Sequence, residues 1–195
     1  MAASAAVPGL FLCFAATVLL IFVCVSSPTW ERISFLDVSS GGGEETHFGV
    51  FGFTGSSVGI GYRFAPSRLG FNDSRLNSTL LHNLTKVLVL HPIAAGLAGL
   101  SFLFGLCGAS YHRFGTIMMT LLSGLAFLLT LVVWVIDMVL FGIARHRFRD
   151  EGFFAQYGNA NWLTLGALVA LMLGFCTSVC GSFGSYRRSR RDATY

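Results

Sequence analysis

Four apolar stretches, nearly free of charge, decide what this chain can fold into. They cover about residues 7–25, 87–107, 116–141 and 163–183. Each approaches or exceeds the roughly 20 residues an α-helix needs to cross a bilayer. Backbone polar groups inside lipid must be satisfied within the structure, so runs of this length form helices there. Composition agrees, with 54% hydrophobic and only 11% charged residues, against roughly 25% charged in a soluble domain. We therefore expect a membrane all-α four-helix transmembrane bundle, a single membrane domain over residues 1–195. For the first run the competing reading is a signal peptide. No side chain before Glu31 is charged and Pro28 crowds the cleavage position, so an uncleaved first helix is expected.

An even number of spans places both termini on one side. The basic tail 184–195, with Arg187, Arg188, Arg190 and Arg191, and the turn containing His112 and Arg113 argue that this side is cytoplasmic. The loop 26–86 and the shorter loop from Ala144 to Asn161 are then extracellular, although Arg145, Arg147 and Arg149 in the latter run against the charge rule. Three sequons support the same orientation, at Asn72, Asn77 and Asn83, all in the long loop. They are glycosylation sites or simply polar loop residues. The arginine tail anchors the last helix or attracts anionic membrane lipids; nothing else in the chain points to nucleic acid.

The long loop has structure of its own. Val58, Ile60, Tyr62 and Phe64 alternate with polar or glycine residues, which is the period of a strand with one apolar face. Phe48 to Phe53 is a second strand-like run, Ser34 to Val38 a possible third, and Ser39 to Glu45 a glycine-rich turn. A small extracellular antiparallel β-sheet in the first loop follows. Leu80, Leu81, Leu84 and Leu88 recur at helical spacing, which extends the second helix beyond the bilayer. Gly96, Gly99, Gly105, Gly108, Gly166 and Ala170 allow close helix packing.

Few residues are candidates for chemistry. Asp137 is the one acid inside a span, within about two turns of the outer surface; it bonds a neighbouring helix or loop, or it titrates. His47, His82, His91 and His146 fall on the outer side, where imidazoles either respond to external pH or remain passive. Cys107, Cys176 and Cys180 lie near the cytoplasmic ends of spans, as sites of palmitoylation or as packing residues. All five cysteines lie in or beside apolar runs, which argues against a disulfide-stapled loop and against a zinc site. No spacing assembles a nucleophile with a base, a phosphate loop or HExxH ligands. We expect a protein that is not an enzyme, with no cofactor and no small-molecule substrate.

The order of parts, four spans with a long first outer loop that begins with a tryptophan, is claudin-like. In detail the chain resembles the PalI family of fungal ambient-pH-response membrane proteins. The likeness rests on Ser27-Pro-Thr-Trp30, Phe48-Gly-Val-Phe-Gly-Phe53, Ile60-Gly-Tyr62, Leu88-Val-Leu-His-Pro-Ile-Ala-Ala95 and Val133-Trp-Val-Ile-Asp137. It implies a plasma-membrane accessory protein that assists the surface localisation or function of a seven-span pH-sensor membrane protein. The loop residues expected to carry partner binding are Trp30, Phe48, Phe51, Phe53 and Tyr62. The chain departs from the family pattern in having Thr54, Ser56 and Ser57 where relatives often carry a cysteine pair, and in its short tail. The alternative is a claudin-like structural protein that organises plasma-membrane domains, related to eisosomes or the cell wall.

Overall fold

A computed structural model describes residues 3–39, 45–64, 79–110 and 113–192. The elements in order are α1 (Ala3–Cys24), β1 (Leu36–Ser39), β2 (Glu45–Phe48), α2 (Thr79–Val87), α3 (Leu90–Ser110), α4 (Arg113–Asp150), β3 (Phe154–Tyr157) and α5 (Ala160–Asp192). Among the described residues, four helical stretches are long and apolar enough to cross a membrane: Val7–Cys24, Thr79–Gly108, Gly115–Asp150 and Ala160–Val179. The expected four membrane-spanning helices with a small antiparallel sheet are present.

The chain divides into two compact units. The helical unit comprises Met1–Leu20, Ile93–Thr130 and Gly166–Tyr195. Its core is rich in small residues, Ala16, Ala94, Ala98, Ala126, Ala167 and Cys13, beside the larger Leu20, Met119 and Leu171, while Phe11, Leu103, Leu121, Leu125 and Leu128 stay exposed. This is the packing of helices in lipid, where close backbone approach counts for more than burying large side chains. The tightest approach is between Gly108 and Gly115, where a Cβ on Gly115 would lie 2.6 Å from the Gly108 Cα. Buried hydroxyls turn back onto backbone carbonyls or reach across, as Ser101 does in donating to Met119 O at 2.9 Å.

The sheet unit comprises Ile21–Pro92 and Leu131–Leu165, and its core is aromatic. Phe35, Phe48, Phe64, Phe141 and Phe148 are all buried, as are Leu36, Val38 and Leu88. Strand order is β2-β1-β3, both pairs antiparallel, with Val38 opposite Thr46 on one side and Ala155 on the other.

Three features of the long loop differ from expectation. The stretch from Val58 to Phe64 is not a strand. Tyr62 and Phe64 turn into the core while Val58 and Ile60 are 64% and 66% exposed. The backbone of Tyr62 is satisfied instead by α2: its N–H donates to Thr85 Oγ1 at 3.1 Å, and that hydroxyl lies 2.7 Å from Tyr62 O. The run from Phe48 to Phe53 is a strand end followed by a tight reversal, in which Phe48 and Phe53 pair across a Gly49 N–H to Gly52 O bond of 2.8 Å. Gly49 is required there, since a Cβ would run into the Ser27 backbone. The strand placed at Ser34 to Val38 runs from Leu36 to Ser39, and the third strand comes from the second loop, not the first.

Helix α4 also runs further than its apolar stretch, to Asp150 rather than ending near Phe141 to Ile143. Its end is a Schellman motif. Gly152 has φ +84°, its N–H donates to Arg149 O, and Phe153 N–H donates to Phe148 O, with the Phe148 and Phe153 rings 6.4 Å apart. At about 1.5 Å per residue the helix is about 57 Å long, well beyond the roughly 30 Å of hydrocarbon it has to cross. The arginines that ran against the charge rule have structural work here. Arg149 Nε donates to Ala155 O at 2.9 Å and Arg145 stacks over Tyr157 at 4.9 Å, so α4 covers the free edge of β3.

Candidate functional site

The sheet unit carries a half-buried polar recess and a fully buried ionisable pair. The recess, about 400 Å³, is lined by Glu31, Arg32, Ser34, Asp37, His47 and Asn159 among others. The antiparallel register sets Asp37 opposite His47, and the imidazole Nδ1 lies 2.7 Å from Asp37 Oδ1. Ser34 donates its hydroxyl to the same carboxylate oxygen, and Glu45 is 3.9 Å from the other ring nitrogen. Both Ser34 and His47 point at the acid, so no histidine stands ready to take the serine proton and the set is not a catalytic triad. Asn159, at the start of α5, fixes the floor: its side chain accepts from Ser34 N–H at 3.2 Å and donates to Arg32 O at 2.8 Å. Among the described residues no group of three or more His, Cys, Asp or Glu is placed to hold a metal.

The buried pair is His91 with Asp137, both 0% exposed. Their separation is 3.1 Å from Nε2 to Oδ2, without the alignment of a well-formed hydrogen bond, so Nε2 and both carboxylate oxygens have no conventional partner. The ring's other nitrogen lies 3.1 Å from Leu88 O. Phe35 encloses the pair: its ring meets His91 edge-on at 5.3 Å and stacks on Phe141 at 5.1 Å. The backbone of Phe35 joins two further segments, the end of β2 and the start of α5. Its N–H donates to Phe48 O, and its carbonyl accepts from Gly158 N–H and from Asn161 Nδ2. Tyr62, also buried, donates its hydroxyl to Gly49 O at 2.9 Å. Burial, and secondarily the Asp137 carboxylate, push its phenol well above the ordinary range.

The residues singled out from sequence thus separate. Phe48 and Tyr62 lie in the chain's own core, and Phe51 and Phe53 are half-buried against it. Trp30 remains 45% exposed, its ring 6.1 Å from Phe22. Among the described loop residues, Val58, Ile60 and Leu80 are also exposed apolar side chains. His82 is half-buried, with Nδ1 3.4 Å from Tyr62 O, and His146 is exposed on α4, 3.7 Å from Asp150. Asn83 is exposed on α2, with its sequon residue Thr85 buried against Tyr62, whereas Asn72 and Asn77 lie outside the described residues. Cys107 and Cys176 are exposed on their helices, and the side chain of Cys180 lies outside the described residues, as do those of the arginine tail.

Sequence reading flagged His91 and Asp137 separately and missed that they meet. The available signal was depth: each lies a few residues inside the same end of its apolar run. The contacts of Arg145 and Arg149 with β3 left no signal beyond their violation of the charge rule.

Comparison with known proteins adds two findings. The SUR7/PalI family profile matches residues 5–176. A protein described as "pH-response regulator protein palI/RIM9", from Yarrowia lipolytica, is 32% identical over 118 residues, covering 53% of this chain. The matched region is 15% of that relative's length.

Proposed function

We propose, since the chain belongs to the SUR7/PalI family, that this multi-pass, non-enzymatic membrane protein acts as an accessory component of ambient-pH signalling at the plasma membrane. The observation that carries this reading is the match to the pH-response regulator, which includes more than half of the chain. In this reading both termini are cytoplasmic, the sheet unit faces outside, and the chain assists a seven-span pH sensor in reaching or working at the surface. The exposed residues Trp30, Val58 and Ile60 supply the loop's contact surface, while Phe48, Phe51, Phe53 and Tyr62 hold it in shape. Asn72 and Asn77 carry the glycans. Cys107 and Cys176, exposed near the cytoplasmic side, are open to acylation, and the arginine tail meets anionic lipid.

A claudin-like structural role is the second reading. It is favoured by one observation, that both loops are locked into a single sheet whose β3 edge is covered by Arg149 and Arg145. Deleting the chain separates the two. Failure of growth in alkaline medium, with recovery of a seven-span protein in pull-downs of the tagged chain, supports the signalling role. Static cortical patches with a normal alkaline response support the structural one.

A further inference from the structure

The two nitrogens of His91 do different things. Nδ1 faces Leu88 O at 3.1 Å, and a carbonyl oxygen only accepts, so Nδ1 carries a hydrogen. In a neutral imidazole Nε2 is then a bare lone pair, yet it faces Asp137 Oδ2 at 3.1 Å. Two lone pairs at that distance repel. The carboxylate is also buried, with neither oxygen in a conventional hydrogen bond, and an isolated buried charge of this kind is strongly disfavoured. One proton removes both difficulties, either as imidazolium beside carboxylate or as neutral imidazole beside carboxylic acid.

We propose that His91 and Asp137 form a proton-binding site, holding one proton between them, and that the packing of α3 and α4 with the Phe35 segment depends on it. Phe35 transmits the dependence, because the ring that touches His91 and Phe141 belongs to the residue whose backbone joins β2 and the start of α5. Among the described residues, the groups shown to bear on the pair from neighbouring segments are Tyr62 from the long loop, a protonated phenol near Asp137, and Phe35 from the segment before β1, itself stacked on Phe141 one turn further along α4. Asp137 is the ion-pair partner of His91 among the described residues.

The direction of the pH effect follows from proton counting. In the unfolded chain an ordinary histidine releases its proton above about pH 6.5, beside an ionised aspartate. The folded chain keeps one proton. Above that pH the native state therefore binds more protons than the unfolded state, and stability falls as pH rises, the folding constant dropping by up to about tenfold per pH unit. Asn at position 137 would donate its own amide hydrogen to Nε2 and would need no proton.

The test uses the full chain in lipid nanodiscs, with thermal unfolding followed by tryptophan fluorescence between about pH 5 and about pH 9. The wild-type midpoint should fall above neutrality. Asp137→Asn should give a flat profile and exceed the wild type at alkaline pH, whereas Tyr62→Phe should keep the wild-type slope. An Asp137→Asn profile parallel to the wild type would overturn the proposal, placing any slope outside the pair. Should that variant fail to fold, the wild type decides alone. Infrared spectra with labelled aspartate and nitrogen NMR with labelled histidine, assigned with His91→Gln, should show a buried carboxylic acid or an imidazolium at about pH 7. A bare carboxylate beside a neutral ring at that pH would contradict it.

Discussion

Phe35 is the side chain on which most of the sheet unit converges. It is fully buried, stacked on Phe141 and edge-on to His91, and its backbone is bonded to Phe48, Gly158 and Asn161. Phe35→Ala leaves a cavity between the His91 and Phe141 rings, and should cost about 3–5 kcal/mol. Thermal unfolding in nanodiscs would read this; a loss below about 1 kcal/mol would mean that the site collapses and Phe35 is not a keystone. At this scale the sequence was partly legible. Asp137 stood out because a lone acid in an apolar run calls for a partner, and His91 because it lies near the outer start of the preceding run. That they are each other's partner depends on helix rotation and depth, which residue type does not encode. Phe48 and Tyr62 read as interaction residues for a similar reason, since an aromatic in a loop looks the same whether it faces a partner or the chain's own core.

Among the elements, helices were easier to find than strands because their apolar runs are long. Alternation failed for the stretch from Val58 to Phe64, where Thr85 on α2 takes up the Tyr62 backbone groups that a neighbouring strand would otherwise have bonded. The true third strand, β3, is four residues long with one buried residue, too short for periodicity to register. The end of α4 was readable in principle, from Gly152 followed by Phe153. A direct check of the sheet is to cross-link its two loops. Ser39 and Phe154 are register partners, so Ser39→Cys with Phe154→Cys should form an intramolecular disulfide on mild oxidation in a background lacking the native cysteines. A sheet confined to the first loop would give none.

A second prediction at this scale concerns the helical unit. Gly115→Leu should separate α3 from α4 at their closest approach and lower the yield of folded protein in membranes, whereas Gly96→Leu, with nothing within 4 Å of its Cβ, should be tolerated. Expression with size-exclusion profiles of both variants measures the difference. Equal behaviour would mean that the glycine contact is incidental.

For the molecule as a whole, the two units fill their cores differently. The helical unit packs alanines closely beside Leu20, Met119 and Leu171, the sheet unit closes around phenylalanines, and both leave large apolar side chains outward. Composition and run length made the four long apolar helices legible, and the order of parts made the family legible. The partner was not legible, because among the described loop residues much of the aromatic run turns into the chain's own core. The proposal is that this chain serves a seven-span pH sensor at the cell surface. It is tested most directly by the fraction of that sensor reached by a membrane-impermeant surface label, in cells with the chain, without it, and with Trp30, Val58 and Ile60 changed to Ser. The account predicts a marked loss of surface sensor on deletion and a similar loss in the triple variant, with the variant itself still delivered. An unchanged surface fraction in the deletion would contradict it.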